Sequence, residues 1–592
     1  MITKKLSNMK DNSDTRARES LLISRSHISS RINKTGSWRY LRPVFSGGMA
    51  PCRVACPVGT DIVEMIRLSS RGLYQEALTC ILNENPLPAV CGYVCDHPCE
   101  VSCNRSQLDA PLAVNAIERF VGLLGDPAPS NSGLFKRSTN GRRVAVIGSG
   151  PSGLSAAYFL SRLGYSCDIF ESEAEPGGLL RWGIPTYRLP RDILRREIAR
   201  IQNLGVNIHC NQAAKSEFLQ TARKRYQALF VGCGLEQSVP MQIPGERHAL
   251  DGLAFLKTVR QGHQTPMDGV SAVVGGGNTA IDVARTLMRL GTQAMVLYRR
   301  RIADMPAIKN EVTAARKEGV QIRELTIPIS IEPQDNLFMI RLQRMAATGR
   351  NSDDGRPAVQ PVPGETQTLP VARIVRAIGA EADMVWQPVE KRKSIRLALS
   401  HCALTGDDFP IIYGGDIVNR KLRVSDAIAS GKQAAMAIDL VLQKKSPDVE
   451  SDIRRCRLGP GPAVSFADYI SEGDSRPTAS RIVSYDDINP AYFSPAMRLD
   501  PEAEPYDTVG LSFAAAQPNY TPQTAAEEAE RCFNCGACTD CDNCGLFCPE
   551  TALLSDHERR IDLDYCKGCG VCVEECPRSA MTLQETGYET GS

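Results

Sequence analysis

The chain has 592 residues, too many for one hydrophobic core, so we expect about three to five structural units. Its apolar content is an ordinary 42% and its formal net charge is +2, so nothing in the composition indicates a nucleic-acid partner. No apolar run reaches the roughly eighteen residues that predict a membrane span, so no span is expected.

The first 40 residues predict an N-terminal arm. Residues 1–34 are basic and rich in serine, with acidic residues interspersed, and they lack the apolar segment that a secretory signal needs. A transit peptide is the alternative, but the acidic residues count against it and favour a mobile arm. Because no secretory signal fits, we expect a cytoplasmic protein.

The 22 cysteines are concentrated in two segments, one from Cys52 to Cys103 and one from Cys532 to Cys576. A disulfide-rich secreted protein would be small and would carry a signal peptide, so this distribution predicts metal sites in a reducing compartment. Between the segments the cysteines are isolated. The paired redox cysteines of a flavin-dependent disulfide reductase are therefore not expected, and these lone cysteines are more typical of core residues.

Residues from Arg142 to Glu173 read as strand, glycine turn, helix and strand. Gly148 would permit a tight turn after the apolar strand, Gly150 would let a pyrophosphate approach the backbone, and Gly153 would let helix and strand pack closely. Glu171 follows the second strand, where a carboxylate accepts hydrogen bonds from ribose hydroxyls. The combination predicts a dinucleotide-binding unit.

A second unit of the same kind begins at Ser271. Gly275, Gly276 and Gly277 follow an apolar strand, and Ala280 replaces the last glycine of the pattern. The second strand ends in YRRR at 298–301, without a carboxylate. Guanidinium groups there suit a 2′-phosphate, which favours NADP over NAD; a solvated strand end is the alternative.

Two dinucleotide units in series predict a flavin and a nicotinamide. A nicotinamide delivers two electrons together as a hydride, whereas an iron–sulfur cubane accepts one electron at a time. A flavin takes two electrons and releases them singly, so it belongs between the two. Hydride transfer itself needs no acid or base, and no catalytic side chain is predicted.

Residues 446–530 are rich in proline, aspartate and serine and predict a linker that wraps between domains. Near its end, TPQTAAEEAERC predicts a helix with Thr524 as its N-cap.

The C-terminal segment contains the C-x2-C-x2-C-x3-C-P spacing of two-cluster ferredoxins twice. In this pattern three thiolates of one run and the fourth of the other bind each [4Fe–4S] cluster. Zinc is the alternative, but zinc sites use separated CxxC pairs or add histidine. The predicted ligands are Cys538, Cys541, Cys544 and Cys576 for one cluster, and Cys566, Cys569, Cys572 and Cys548 for the other.

Cys532 and Cys535 extend the first run upstream. Spare thiols, a redox pair and alternative ligands remain open for them.

With these motifs, residues 35–445 resemble the small (beta) subunit of NADPH-dependent glutamate synthase and its relatives. These include the N-terminal half of dihydropyrimidine dehydrogenase and the large subunit of ferredoxin:NADP transhydrogenase. The resemblance rests on CGYVCDHPCEVSC (91–103), AIERF (116–120), ESEAEPGGLLRWGIPTYRLP (171–190), GGGNTAID (275–282), YRRRIADMPA (298–307) and YGGDIVNRKLRVSDAIASGKQAA (413–435).

The resemblance implies the residues of both nucleotide sites. Asp416 would bind the flavin ribityl chain, and the helix after it would point at the isoalloxazine ring. The implied FAD contacts are Gly148, Gly150, Pro151, Ser152, Gly153, Glu171, Gly178, Leu179, Arg181, Gly415 and Asp416. The implied contacts for NADP(H), or NAD(H), are Gly275, Gly277, Asn278, Thr279, Arg299 and Arg300.

The N-terminal cysteines depart from the family pattern. Relatives have a CxxC shortly before the equivalents of Cys52 and Cys56, whereas this chain has RPVFSGGMAPC. Too few thiols remain for two four-cysteine clusters, so one [4Fe–4S] cluster is expected there; a thiol-rich helical domain without iron is the alternative. Its implied ligands are Cys56, Cys95 and Cys99, with either Glu118 or Cys91 as the fourth. Cys52 and Cys103 resemble ligands of a lost cluster.

The C-terminal ferredoxin domain is a second departure, since ordinary glutamate synthase small subunits lack it. Long relatives that carry it resemble electron-transfer subunits serving 2-oxoacid:acceptor oxidoreductases or dissimilatory sulfite reductase, and TGSWRYLRPVF and NPAYF resemble that subgroup. The implied function is an NAD(P)H:acceptor oxidoreductase with a protein redox partner, in a homodimer or hetero-oligomer. A glutamate synthase small subunit and a non-enzymatic electron-transfer scaffold are the alternatives.

The expected architecture is multidomain α/β. It comprises a helical N-terminal iron–sulfur domain, two Rossmann-like dinucleotide-binding domains with one inserted in the other, and a bacterial-type 2[4Fe–4S] ferredoxin domain. The expected limits are 1–40 for the arm, 41–135 for the helical domain, 140–255 with 370–445 for the FAD domain, 256–369 for the NAD(P) domain, 446–530 for the linker and 531–592 for the ferredoxin domain.

Overall fold

The structure is a computed structural model, in which the chain divides into two units. The larger unit is 47–539, and the smaller one joins 1–46 with 540–592. The predicted arm lies almost wholly outside the described residues. The structure describes residues 34, 36, 39–124, 133–215, 217–263, 268–352, 354–382, 394–396, 402–405, 409–419, 421–444, 448–471, 481–501, 512–514, 518–555 and 559–585.

In chain order the helices are α1 Pro51–Ala55, α2 Ile62–Ser69, α3 Tyr74–Glu84, α4 Pro88–Val94, α5 Pro98–Val101, α6 Val114–Leu124, α7 Pro151–Arg162, α8 Leu179–Trp182, α9 Arg191–Gln202, α10 Phe218–Arg225, α11 Gly252–Arg260, α12 Asn278–Arg289, α13 Lys309–Lys317, α14 Val424–Gln443, α15 Val449–Arg455, α16 Phe466–Ile470, α17 Pro522–Glu530, α18 Asn543–Leu546 and α19 Val571–Glu574. None of these described helices is long and apolar enough to cross a membrane.

The strands are β1 Leu41–Val44, β2 Arg143–Ile147, β3 Ser166–Phe170, β4 Asn207–His209, β5 Ala228–Val231, β6 Gln237–Ser238, β7 Leu250–Asp251, β8 Val270–Val274, β9 Gln293–Leu297, β10 Gln321–Arg323, β11 Thr326–Gln334, β12 Leu337–Asn351, β13 Pro357–Val371, β14 Arg373–Arg376, β15 Ala380–Glu381, β16 Ser394–Arg396, β17 Cys402–Thr405, β18 Ile411–Gly414, β19 Leu553–Ser555, β20 Arg559–Ile561 and β21 Thr582–Glu585.

The first part of the larger unit is helical, as predicted. Helices α4 and α6 pack closely because glycine stands at both contact points. A Cβ on Gly92 would lie 2.4 Å from the Cα of Arg119, and one on Gly122 would lie 2.6 Å from the amide nitrogen of Ala89. The apolar face of α6 shares a core with α2 and α3, whereas the buried residues of α4 belong to a second core that also contains α7.

A seven-stranded sheet forms the first dinucleotide fold, in the order β16-β17-β18-β5-β2-β3-β4. The strands from β18 to β4 are parallel, and β2 and β5 are almost completely buried. Such parallel strands need helices on both faces, which explains their continuous apolar sequences. Helices α7 and α14 cross closely on this sheet, since a Cβ on Gly431 would lie 2.1 Å from the Ser152 carbonyl oxygen.

The second dinucleotide fold is an all-parallel sheet in the order β10-β9-β8-β14-β7. Strands β7 and β14 lie outside the predicted range 256–369, so that range is too narrow at both ends. Both strands are short and carry no turn motif, and only their pairing with neighbouring strands reveals them.

A three-stranded antiparallel sheet, β11 to β13, is inserted in the second fold between β10 and β14 and was not predicted. Ile331, Ile340 and Leu342 on this sheet share a core with Ala272 and Val274 of β8. It therefore covers one face of the second parallel sheet.

The predicted linker at 446–530 contains packed helices and is not a loose spacer. Buried Glu84, at the end of α3, accepts hydrogen bonds from Ser465 Oγ and from the backbone N–H groups of Phe466 and Ala467 at the start of α16. It also forms a 2.6 Å ion pair with buried Lys432 of α14. One carboxylate thus joins three helices that are distant in sequence.

The N-cap of α17 is Thr521, not the predicted Thr524. The Thr521 hydroxyl accepts a hydrogen bond from the Thr524 backbone N–H, and Pro522 occupies the first helical position. A proline is preorganised for that position, which moves the start of the helix three residues earlier.

The smaller unit is closed by a strand from each end of the chain. Strand β1 pairs antiparallel with β21, with Leu41 opposite Glu585 and Val44 opposite Thr582. Strands β19 and β20 form a second two-stranded ladder, and Phe45, Met581 and two cysteines contribute to the core of the unit.

Candidate nucleotide and cluster sites

The first glycine turn leaves an open site at the N-terminus of α7. Gly148 has a φ of +90°, which favours glycine, and a Cβ on Gly153 would lie 1.9 Å from the Gly148 carbonyl oxygen. Gly150 is the N-cap residue, and nothing lies within 4 Å of where its Cβ would be. Pro151 and Ser152 begin the helix, whose end therefore has room for a pyrophosphate.

Glu171 lies directly beside this turn and is 5% exposed. Its carboxylate accepts hydrogen bonds from the Ser149 backbone N–H at 3.0 Å, from the Ser149 hydroxyl, and from the Glu173 backbone N–H at 2.8 Å. Ser149 was not predicted, because the x of a G-x-G pattern carries no residue signal. Together these contacts fix the carboxylate where a ribose would lie.

The stretch after β3 returns to the same turn. Gly178 has a φ of +53°, and a Cβ there would lie 2.8 Å from the Gly150 Cα, so the two glycines are in close contact. Leu179 begins α8 and is partly exposed. The Arg181 side chain is buried and pairs with Glu175 at 2.9 Å. Burial lowers its pKa, despite the opposing effect of Glu175.

At the other edge of the turn, Gly415 donates its backbone N–H to Ser430 Oγ at 2.7 Å. A Cβ on Gly415 would lie 2.5 Å from Ser152 Oγ, so this segment also lies against the start of α7. Among the described residues, Asp416 Oδ1 and both amide atoms of Asn419 are buried without a hydrogen-bond partner. Burial and the nearby Asp426 raise the pKa of Asp416 to about 6.

These polar atoms fit a bound FAD. Buried polar groups are normally paired, so an orphaned carboxylate oxygen beside an open helix terminus indicates a ligand. Asn419 was missed because an asparagine three positions beyond a predicted contact has no signal of its own.

The second glycine turn has the same open geometry at the N-terminus of α12. Gly275 has a φ of +140°, and nothing lies within 4 Å of the position that a Cβ on the N-cap Gly277 would take. Asn278 Oδ1 accepts a 2.9 Å hydrogen bond from the backbone N–H of Ile308, and this bond connects the loop before α13 to the glycine turn. Thr279 lies in the first turn of the helix.

The two predicted arginines are in different surroundings. Arg300 is 2% exposed, donates a 2.7 Å hydrogen bond to the Pro357 carbonyl oxygen and pairs with Asp354 at 3.2 Å. The Arg300 guanidinium therefore stabilises the antiparallel sheet at the start of β13. The Arg299 side chain is 55% exposed, with Asp354 at 4.0 Å, and it is the better placed of the two for a 2′-phosphate.

In the helical part, the predicted N-terminal ligands lie together. Burial and the neighbouring Cys56 and Cys95 raise the pKa of the Cys99 thiol. Glu118 contributes to the raised pKa values of Cys56, Cys91 and Cys95, so both candidates for the fourth ligand are close by. Burial raises the pKa of Glu118 itself to about 8, and Asn85 donates a 3.0 Å hydrogen bond to it.

In the smaller unit, the four cysteines of one predicted ligand set are neighbours. Burial and the neighbouring Cys566, Cys548 and Cys569 raise the pKa of Cys572 to about 12. Of the other set, Cys541, Cys544 and Cys576 belong to this unit, whereas Cys538 belongs to the end of the larger unit.

Two sulfurs of the smaller unit accept backbone hydrogen bonds. Ala552 donates to Cys548 Sγ at 3.4 Å and Ala580 to Cys576 Sγ at 3.3 Å. Such bonds to cluster sulfurs are among the factors that set cluster potentials.

Three protein families match parts of the chain. Residues 142–401 match pyridine nucleotide-disulphide oxidoreductase, residues 45–124 match dihydropyrimidine dehydrogenase domain II with its 4Fe-4S cluster, and residues 559–582 match the 4Fe-4S binding domain.

Relatives extend the match over most of the chain. The NADPH-Fe(3+) oxidoreductase subunit beta of Geobacter sulfurreducens is 30% identical over 82% of this chain and 75% of that protein. The NAD-dependent dihydropyrimidine dehydrogenase subunit PreT of Escherichia coli is 33% identical over 67% of this chain and 91% of that protein. The chain belongs to the FAD/NAD(P) iron–sulfur oxidoreductase family.

Within this family, the NADP(+)-dependent formate dehydrogenase subunit beta of Moorella thermoacetica is 36% identical over 68% of this chain. The chain spans only 62% of the length of that relative.

The cofactors of this iron–sulfur oxidoreductase are FAD, a nicotinamide dinucleotide and [4Fe–4S] clusters, in agreement with the prediction. In the part of the chain that the structure describes, no group of three or more metal-binding side chains is arranged for a single metal ion. A cubane spaces its four thiolates more widely than one ion does, because iron and sulfide lie between them.

Proposed function

We propose that the protein is an NAD(P)H:acceptor oxidoreductase subunit that passes electrons between NAD(P)H, FAD and [4Fe–4S] clusters, to or from a protein redox partner. The observation that supports it best is the pair of open glycine turns at the N-termini of α7 and α12, in one chain with assembled thiol sets. When bound, the flavin would supply the conversion between a hydride and single electrons.

The protein's own residues bind and orient the two nucleotides. The backbone at Gly150 would receive the flavin pyrophosphate, Glu171 the adenosine ribose, and Asp416 the ribityl hydroxyls. Gly277 and Arg299 would receive the pyrophosphate and 2′-phosphate of NADPH. Orientation of two bound reactants is the main contribution that a protein makes to hydride transfer.

The partner proposed is a catalytic redox enzyme, such as a sulfite reductase or a 2-oxoacid oxidoreductase. The names of the relatives add two further types of partner enzyme, since one relative is a subunit of a formate dehydrogenase and another is a subunit of an Fe(3+) oxidoreductase. A glutamate synthase subunit is a weaker candidate, because the second cluster-binding segment at 559–582 is not needed for it.

An anaerobic titration tests the proposal. Purified holoprotein would be titrated separately with NADPH and NADH while flavin and iron–sulfur absorbance are followed together. We expect NADPH to bleach both chromophores. Bleaching by dithionite but by neither nucleotide would contradict the proposal and would favour an electron-transfer scaffold.

A further inference from the structure

Four cysteines outside the predicted ligand sets lie together in the larger unit, although they come from opposite ends of the sequence. Cys103, Cys532 and Cys535 are all close to the Cys52 thiol. Cys52, Cys103 and Cys532 also pack against the same apolar core of the helical part.

Helix α17 carries the pair Cys532 and Cys535 to this position. Ala525 and Ala529 on α17 belong to the core that α2, α3 and α6 form. Glu528 is completely buried and accepts hydrogen bonds from the backbone N–H groups of Ala113 and Leu499, each at 2.9 Å. The helix is therefore anchored on the helical part immediately before the two cysteines.

The segment after α17 is also held against the neighbourhood of Cys103. Arg105, two positions after Cys103, donates a 2.8 Å hydrogen bond from its guanidinium to the Arg531 carbonyl oxygen. Arg531 directly precedes Cys532. This bond therefore fixes the backbone beside Cys532 close to Cys103.

A backbone contact holds the same segment against the chain that leads to Cys52. Gly48 donates its backbone N–H to the Gly536 carbonyl oxygen at 3.2 Å. A Cβ on Gly536 would lie 2.1 Å from the Gly48 carbonyl oxygen, and Gly536 has a φ of +77°. Gly536 directly follows Cys535, and Gly48 lies just before α1, the helix that carries Cys52. The contact therefore brings Cys535 up to the start of that helix.

The sulfurs of the C-terminal pair accept hydrogen bonds of the kind seen at the ferredoxin cysteines. Asn534 has a φ of +52° and donates its backbone N–H to Cys532 Sγ at 3.3 Å. Asn104 Nδ2 donates to Cys535 Sγ at 3.4 Å. N–H groups directed at sulfur stabilise thiolates, the form that binds iron.

We propose that Cys52, Cys103, Cys532 and Cys535 bind a further [4Fe–4S] cluster in the larger unit. Cys52 and Cys103 come from the helical part, and Cys532 and Cys535 come from the far end of the sequence. A cubane is proposed instead of one zinc ion, because Cys52 and Cys103 lie in the segment that matches a 4Fe-4S domain.

The proposed cluster would lie next to the first N-terminal set. Cys56, a ligand of that set, donates its backbone N–H to the Cys52 carbonyl oxygen at 3.2 Å, so the two sets of thiols are neighbours. The proposal goes beyond the proposed function, since it holds for either direction of electron flow and for any partner.

Metal and sulfide analysis of the full-length holoprotein, purified without oxygen, tests the proposal. We expect Cys532→Ser and Cys535→Ser each to lower the content by about four iron and about four acid-labile sulfide per chain. Cys80→Ser is the matched control, since Cys80 lies in the same helical part and its sulfur donates to the Asp61 carbonyl oxygen at 3.7 Å. It should leave both contents unchanged.

A second measurement uses the wild-type protein and so does not depend on the folding of a variant. Cys52, Cys103, Cys532 and Cys535 should resist alkylation in the holoprotein and become reactive together when oxidation destroys the clusters. Unchanged iron in the Cys532→Ser, Cys535→Ser double variant would overturn the proposal. Loss of about one zinc without loss of sulfide would overturn it too. Neither readout uses a nicotinamide, so failure of the proposed function would be seen separately.

Discussion

Asp416 is an acidic side chain that the fold buries without a partner for one of its oxygens among the described residues. Leaving a buried carboxylate unpaired costs free energy, and its raised pKa expresses that cost. The cost is acceptable if a ligand supplies the missing donor, as the ribityl hydroxyls of FAD would.

Asp416→Asn should weaken FAD binding and stabilise the apoprotein at neutral pH. A hydrogen bond to a charged group contributes about 1.5–3 kcal/mol, so the affinity should fall about tenfold to a hundredfold. Flavin titration of the apoprotein measures this. Asp268→Asn, at an exposed aspartate, is the control; equal losses in both variants would contradict the assignment.

The same residue predicts a pH dependence of apoprotein stability. The pKa of Asp416 is about 6 in the folded state and about 3.9 in the unfolded state. Between these two pH values Asp416 is mostly protonated in the folded state and mostly ionised in the unfolded state. The free energy of unfolding should therefore fall as the pH rises from about 4 to about 6, and Asp416→Asn should reduce that slope. Urea unfolding at a series of pH values measures it; an unchanged slope in the variant would argue against the shift.

Arg299 and Arg300 are adjacent but should respond differently to substitution. Arg299→Ser should reduce the preference for NADPH over NADH about tenfold or more, because it removes a charged partner of the 2′-phosphate. Arg300→Ser should mainly lower the unfolding midpoint, because Arg300 holds Asp354 and Pro357. Steady-state kinetics with both nucleotides and thermal unfolding separate the two effects, with exposed Arg316→Ser as the control. Equal effects of the two substitutions on nucleotide preference would contradict the prediction.

Among the helices and strands, the two strand–turn–helix units of the nucleotide sites were predicted from local sequence patterns. Gly148 and Gly275 mark turns whose positive φ requires glycine, and such turns are visible in a sequence. The antiparallel sheet β11 to β13 and the short strands β7 and β14 were missed, because their signal is the pairing of distant strands. Likewise, no local pattern shows that α17 brings Cys532 near Cys52.

The buried pair of Glu84 and Lys432 joins α3, α14 and α16, so its loss should destabilise the larger unit. Lys432→Met should lower the free energy of unfolding by about 3–5 kcal/mol, because it leaves a buried carboxylate without its cation. Urea unfolding followed by circular dichroism measures the loss. Lys317→Met, at an exposed lysine of α13, should have little effect, and comparable losses would contradict the prediction.

For the molecule as a whole, the division into two units means that the ferredoxin part depends on the start of the chain. Strand β1 pairs with β21, the Gly36 backbone N–H donates to the Asp564 carbonyl oxygen at 2.7 Å, and Lys34 pairs with Asp564 at 3.0 Å. Sequence patterns predicted the cluster motifs of this unit but not its N-terminal strand, because the four residues of β1 carry no motif.

A chain that begins at Gly47 should therefore lose iron from the ferredoxin part while it keeps FAD and its reduction by NADPH. The unpaired β21 would expose the core of the small unit. Iron content after mild heating measures the effect. A chain that begins at Lys34 keeps β1 and is the control; equal iron loss in both chains, or in neither, would contradict the prediction.

The pairing of β1 with β21 also has a consequence for biosynthesis. About 540 residues separate the partners, and ribosomes add roughly 5–20 residues per second, so β1 waits about half a minute to two minutes for its partner. During that time Arg42 and Pro43, within β1, are residue types that hinder pairing with foreign strands. The small unit, and with it the last two clusters, can therefore be completed only when the ribosome has almost finished the chain.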